Sequence, residues 1–335
     1  MNTFENKQDF SEELKAYRLL VDTCLETVYK DIYPRSLYEP IEYVLASGGK
    51  RLRPIVTMLC AGAVGQKPED AVQCGSALEI LHNFTLLHDD IMDSSPLRRG
   101  RQTVHVKWDD ATAILSGDVM LGVAYRLLLS SIKDKERCLD MLDAFTQGLI
   151  DVCEGQALDL DFQSLSNISM NQYMQMIEMK TSRLLEISAI VGAFYGNAND
   201  ETVHSLREFA RHLGLAFQIQ DDLLDLTADA SEFGKLTGQD LIEGKKSYLI
   251  VRASEKNLPP NDKELLDMYI RKKGISMEEI PGMIRMLSDN DVLLDAQNAI
   301  TFHGEQAKLH LSTLEESTYQ KALMWLTDKM SQRTM

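Results

Sequence analysis

One short acidic pattern occurs twice in this chain, and it restricts the folds the chain can adopt. Asp89-Asp-Ile-Met-Asp93 recurs with identical spacing as Asp221-Asp-Leu-Leu-Asp225, and each copy follows a long apolar, helix-favouring run. On a helix, the first and last aspartates of each copy are four residues apart and share a face. His82 lies two turns before Asp89 on that face, and Gln218 one turn before Asp221. Pro96 predicts that the first helix stops within a residue or two of Asp93. The carboxylates then crowd the negative end of the helix dipole, an unfavourable position that a cation would relieve. A single cluster of this kind also fits a solvated acidic helix end. Two of them predict two helices facing each other across a bundle, with hard divalent cations held between them. Mg2+ suits such a set, because it takes few carboxylates, keeps waters and completes its octahedron with phosphate oxygens. No His/Cys arrangement suggests zinc or iron.

The remainder of the chain reads as helix. Its 335 residues include only 19 Gly and 8 Pro, and 44% are apolar, enough for a substantial core. Leu, Ala, Met, Glu and Lys dominate, which favours helices. Helical patterns are predicted over 11–29, 40–45, 55–64, 68–93, from Asp109 or Asp110 onward, 139–158, 173–193 with Ser169 as N-cap, 200–226, and in a run from Tyr248. No strand-period segment with turn punctuation appears, and there is no tandem repeat or low-complexity linker. The expected fold is all-α: a single-domain helical bundle over residues 1–335, with a central cavity between the two Asp-rich helices.

A formal charge of −16 argues against nucleic acid and against an anionic membrane surface as partners. A phosphorylated substrate would need metal ions or a locally basic pocket. The five cysteines are scattered and read as reduced core thiols. The polar, acidic first ten residues do not read as a signal peptide, and no apolar run approaches the length of a membrane span. A cytoplasmic protein without an integral membrane segment is expected. His88, His105, His204, His212, His303 and His310 carry no functional pattern and read as structural.

Cations gather beside the breaks in the helical pattern. In Gly48-Gly-Lys-Arg-Leu-Arg-Pro54, two glycines break the chain, three cations follow, and a proline opens a new helix. Amides and basic side chains at a helix start make a ready anion site. Lys50, Arg51, Arg53, Arg98, Arg99, Lys180, Lys235 and Lys245 could grip phosphate, arginines in bidentate fashion and lysines as point charges. Metal-held and cation-held sites together predict two diphosphates bound side by side.

Taken together, these motifs make the chain resemble the trans-type isoprenyl diphosphate synthases, of the short-chain farnesyl or geranylgeranyl kind. The resemblance covers residues 48–246: the glycine-lysine-arginine loop, both aspartate-rich motifs, Arg98-Arg99, Gly155-Gln156, Lys180-Thr181, Phe217-Gln218, and Gly234-Lys235, Gly238-Gln-Asp240 and Gly244-Lys245. It implies a prenyltransferase of isoprenoid biosynthesis. That enzyme ionises an allylic diphosphate (dimethylallyl, geranyl or farnesyl), adds isopentenyl diphosphate and loses a proton. By resemblance, Asp89, Asp90, Asp93 and Asp221, with Asp222 and Asp225 in support, bind a cluster of Mg2+ ions expected to number three. Arg98, Lys180, Lys235 and Lys245 hold the allylic diphosphate, and Lys50, Arg53, His82 and Arg99 the isopentenyl diphosphate. Thr181 and Gln218 line the forming carbocation, and a homodimer is expected. One departure is Lys246-Ser-Tyr-Leu-Ile250, where many relatives have Thr and Pro.

The same resemblance offers a ruler for product length. Thr85, Phe84, Leu81 and Ala77 run away from the first aspartate cluster, one to three turns back. In relatives an aromatic at the position of Phe84 shortens the product. With no insertion inside Asp89 to Asp93, fifteen to twenty carbons are expected, twenty favoured. A class I terpene cyclase would not need the loop at Gly48 to Pro54, and a silent subunit of a heteromeric synthase would have lost site residues.

Overall fold

The computed structural model describes residues 9–132, 135–227 and 238–331, so Gly234 and Lys235 lie outside the described residues. The helices are α1 (Ser11–Glu26), α2 (Arg35–Leu45), α3 (Leu52–Ala63), α4 (Val72–Met92), α5 (Val104–Lys107), α6 (Asp110–Ser131), α7 (Lys135–Ser164) and α8 (Met170–Ile177). They continue as α9 (Arg183–Tyr195), α10 (Asp200–Thr227), α11 (Gln239–Ile242), α12 (Tyr248–Ser254), α13 (Pro260–Lys272), α14 (Ile280–Asp289), α15 (Val292–Leu311) and α16 (Thr318–Ser331). The all-α expectation holds. Contacts divide the chain into two compact units. The first comprises Met1–Thr146, Ile187–Arg207 and Leu311–Leu326, and the second Gln147–Glu186, Glu208–His310 and Thr327–Met335.

In the first unit α4 is the central element and packs on α3 and α6. A 3-10 turn, Pro68–Ala71, with Glu69 and Asp70 leads into it. Ala77, Leu78, Ile80 and Leu81 are fully buried, each large side chain contributing about 1.5–3 kcal/mol over exposure. Gly75 permits the approach of α3, because a Cβ there would come 2.8 Å from Pro54 Cα. The helix ends at Met92, and the Asp93 N–H donates to the Asp89 carbonyl at 2.8 Å. The three carboxylates therefore do sit at its carboxyl end. Asp109 caps α6, its side chain accepting from the Thr112 N–H at 2.7 Å.

Two expectations need correction here. A two-residue hairpin, β1 (Leu97–Arg98) and β2 (Arg101–Gln102), follows α4 in antiparallel register, with Leu97 opposite Gln102. Arg99 and Gly100 take φ values of 53° and 73°, as a two-residue loop of this twist requires. Such a ladder is too short to leave an alternating pattern. Second, α6 is long and apolar enough by composition to cross a membrane. Part of its apolarity serves packing: Ala113, Met120, Ala124 and Leu128 are buried, and α6 packs on α4, α2 and α5.

The second unit has its own core, including Tyr173, Leu215, Ile219, Leu223, Leu249, Leu266, Met283 and Leu287. Ser169 and Gln172 form a capping box at the start of α8, which bears out Ser169 as N-cap. The predicted uninterrupted helix over 173–193 is instead broken by a π-helical turn, Glu178–Ser182, between α8 and α9. Two glycines let neighbouring backbones close on that turn. A Cβ on Gly155 would lie 2.4 Å from the Lys180 N, and one on Gly214 2.6 Å from Ser182 Cα. The Ser182 hydroxyl adds a bond to the Arg211 carbonyl at 2.7 Å.

Candidate active site

The first unit builds a basic pocket at the start of α3. Arg51, the N-cap of α3, takes the left-handed conformation with φ 48°. Its guanidinium turns inward to Asp22 (2.8 Å), Glu79 (3.0 Å) and the Leu45 carbonyl (2.6 Å). This corrects the reading of Arg51 as a phosphate-gripping cation: it is buried at 3% exposure and shapes the loop. Lys50 remains exposed and Arg53 half-buried. Arg99 Nη1 donates to the Gly48 carbonyl at 2.6 Å, tying the hairpin to the glycine loop. A Cβ on Gly49 would stand 3.1 Å from that Nη1, so glycine keeps the approach open.

This pocket has more positive charge than its own acids satisfy. Burial lowers the Arg53 pKa to about 10, with Arg99 adding to the effect and Glu79 opposing it. Arg53 Nε is shut off from solvent and has no hydrogen-bond partner. Arg99 is lowered too, first by burial and then by Arg51 and Arg98. His82 is held well below the usual histidine range by burial and by Arg53, Arg99, Arg98 and Arg51. Crowded, desolvated cations around a neutral imidazole form a receptor for a multiply charged anion.

At the end of α4, Asp90 is buried and accepts from Arg98 Nε at 2.7 Å. Burial pushes its pKa up, Asp93 reinforces this, and Arg98 opposes it. Asp89 is half-buried and Asp93 exposed. Back along α4, Phe84 packs edge-on to His88 with ring centroids 4.7 Å apart. Thr85 donates its hydroxyl to the His82 carbonyl at 2.8 Å, and Leu81 is core.

The second unit builds an acidic network. Asp222 is buried and accepts three bonds: from Tyr173 Oη (2.6 Å), the Tyr248 N–H (2.6 Å) and Gln218 Nε2 (2.9 Å). The Gln218 amide oxygen accepts from the Thr181 hydroxyl at 2.9 Å. Thr181, Gln218 and Asp222 thus form one chain of bonds, and the π-helical turn supplies its first member. Burial, and then Asp240, raise the Asp222 pKa to about 7, against the pull of its three donors. Asp225 Oδ2 accepts from the Asp240 N–H at 3.1 Å. Lys180 pairs with Asp159, and Lys245 with Asp240 and Glu243. Asp221 is half-buried.

Sequence reasoning did not single out the supports. Tyr173, Asp159 and the Tyr248 N–H carry no motif of their own. Gln156 is buried with neither amide atom partnered; only its Gly155-Gln156 context pointed to it.

A pocket that gathers cations in one unit, and a network that gathers hard oxygen ligands in the other, are the parts of a diphosphate-handling enzyme on an all-α scaffold. The polyprenyl synthetase family matches residues 34–287, and the chain belongs to that family. It is 36% identical to the geranylgeranyl diphosphate synthase of Methanosarcina mazei over 96% of this chain and 97% of that protein. It is 33% identical to a short chain isoprenyl diphosphate synthase of Methanothermobacter thermautotrophicus, over 96% and 97% of the two chains. The crystal structure of geranylgeranyl pyrophosphate synthetase from Pyrococcus horikoshii superposes with a TM-score of 0.90 at 32% identity, covering 98% of this chain and all of that one. The chain is a trans-prenyltransferase, and neither a terpene cyclase nor a silent subunit is favoured.

Proposed function

We propose that this enzyme condenses isopentenyl diphosphate with an allylic diphosphate to an all-trans prenyl diphosphate of fifteen to twenty carbons, with geranylgeranyl diphosphate favoured. The observation that carries this reading is the pocket around His82, where Arg53 Nε is buried without a partner. The names of the relatives support the twenty-carbon product.

The donor set fits Mg2+: both motifs offer only hard carboxylate oxygens, and Asp90 is buried with its pKa raised, a cost that a divalent cation would offset. Asp89, Asp90, Asp93 and Asp221 would hold it, with Asp222 and Asp225 in support, as a cluster of three ions. When bound, Mg2+ supplies Lewis-acid stabilisation of the departing diphosphate. Arg98, Lys180, Lys235 and Lys245 hold the allylic diphosphate, while Lys50, Arg53, His82 and Arg99 hold the isopentenyl diphosphate. Thr181 and Gln218, oriented by Asp222, turn oxygen dipoles toward the carbocation. Proton loss then goes to the released diphosphate. Asp222 has both oxygens occupied by protein donors, so its support is positional.

The whole chain acts as a single polyprenyl synthetase domain, in the cytoplasm and as a homodimer. The exposed Ile114, Leu115 and Leu129 on α6 support the dimer, and sedimentation at the mass of a monomer would oppose it. Incubation with isopentenyl diphosphate, geranyl or farnesyl diphosphate and Mg2+ should give an elongated prenyl diphosphate, mainly of twenty carbons. A hydrocarbon product, or no turnover, would overturn the reading. Phe84→Ala should lengthen the product; an unchanged chromatogram would remove Phe84 as the ruler.

A further inference from the structure

Apart from both aspartate motifs, α10 and α15 bring three imidazoles and a carboxylate together in the second unit. Glu208 and His212 are four residues apart on α10 and share a face. His303 and His310 are two turns apart on α15. One ligand atom from each of Glu208, His212 and His310 lies within 4.8 Å of the others. We propose that Glu208, His212 and His310 form a binding site for a divalent transition-metal ion of the Zn2+ class.

The ligand chemistry selects this class. Two imidazoles and one carboxylate suit Zn2+ and its neighbours, whereas Mg2+ prefers oxygen alone. Bonds of about 2.0–2.2 Å let two ligands on one ion stand at most about 4.4 Å apart. The three ligand atoms already lie within 4.8 Å of one another, so small side-chain rotations bring them to one ion.

The hydrogen bonds around His212 point the same way. Arg211 Nη2 stands 3.3 Å from His212 Nε2 and can only donate. His212 therefore carries its proton on Nδ1 and donates it to His303 Nδ1 at 2.8 Å. A metal-ligating histidine characteristically has its other ring nitrogen held by an acceptor in this way, and here His303 is that acceptor.

Arg211 also donates from Nε to Glu208 at 3.0 Å. His212 and Glu208 already converge on one cation, the guanidinium. A metal ion would take its place, and Arg211 would keep its bond to Glu178 at 3.0 Å. The proposal is independent of the prenyltransferase reading.

The test uses the full chain without an affinity tag, in Mg2+ excess to occupy the aspartate motifs, titrated with Zn2+ and Co2+. One Zn2+ per chain should bind, and Co2+ should show the visible absorption of a tetrahedral site. His310→Ala should weaken Zn2+ binding by about 100-fold and His303→Ala by about 10-fold. Arg211→Gln should strengthen it by removing the internal competitor. Circular dichroism checks that each variant folds, and if His310→Ala does not, His310→Gln replaces it. The proposal is overturned by no Zn2+ binding above the Mg2+ background. It is equally overturned by binding that the His310 and Arg211 variants leave unchanged, which would assign the ion to the aspartate motifs.

Discussion

The basic pocket of the first unit and the acidic network of the second reach order by opposite means. In the first unit, Arg53, Arg99 and His82 are crowded, desolvated and pushed down in pKa, and Arg53 keeps an unpartnered donor. In the second, Asp222 accepts three bonds on its two oxygens, and Thr181, Gln218 and Tyr173 are fixed through it. The basic pocket thus stores cost that an anion relieves, whereas the acidic network is complete before any ligand arrives. Removing a group should therefore stabilise the first and damage the second.

The largest expected effect is on the complete side. Asp222→Ala orphans three donors, two of them buried and each of those worth about 1–3 kcal/mol, so the chemical-denaturation midpoint should fall steeply and turnover with it. An unchanged midpoint would end the contrast. Titration tests the same residue more gently. The Asp222 pKa is about 7 in the folded protein and about 4 when unfolded, so the native state holds the proton over that interval. Its contribution is full below about pH 4 and lost as pH rises through about 7. Without Mg2+, the wild type should lose stability between about pH 4 and 7, and Asp222→Asn should flatten that decline.

On the basic side, Arg53→Met should raise KM for isopentenyl diphosphate by about 10- to 100-fold, the worth of a charge-assisted bond. The melting temperature of the unliganded protein should hold or rise. A fall in the melting temperature would mean that Arg53 is a structural cation like Arg51. The smallest effect is expected of Gly49→Ala, whose Cβ would press Arg99 at 3.1 Å. That change should cost KM a few-fold, about 1 kcal/mol, and steady-state kinetics would resolve it.

The sequence made α4, α10 and both aspartate motifs legible, because a helical period and a four-residue spacing are local properties. The Ser169 cap was legible for the same reason. Arg51 and Arg53 look alike in the sequence. What separates them is the left-handed φ at Arg51 and the distant Asp22 and Glu79 that receive it. His212 is far in the chain from His303 and His310, and only the packing of α10 and α15 gathers them. The π-helical turn was equally invisible, since Gly155 and Gly214, which admit it, lie on other helices.

That turn amounts to one residue too many in an otherwise regular helical path. Each residue of an α-helix advances the face by about 100°. Deleting Met179 alone would let the segment relax to ordinary winding and rotate everything on its amino-terminal side by that amount. Tyr173 would then swing away from Asp222 while Thr181 kept its place. One surplus residue thus sets the phase between the two ends of this segment, so that both can reach the same carboxylate network.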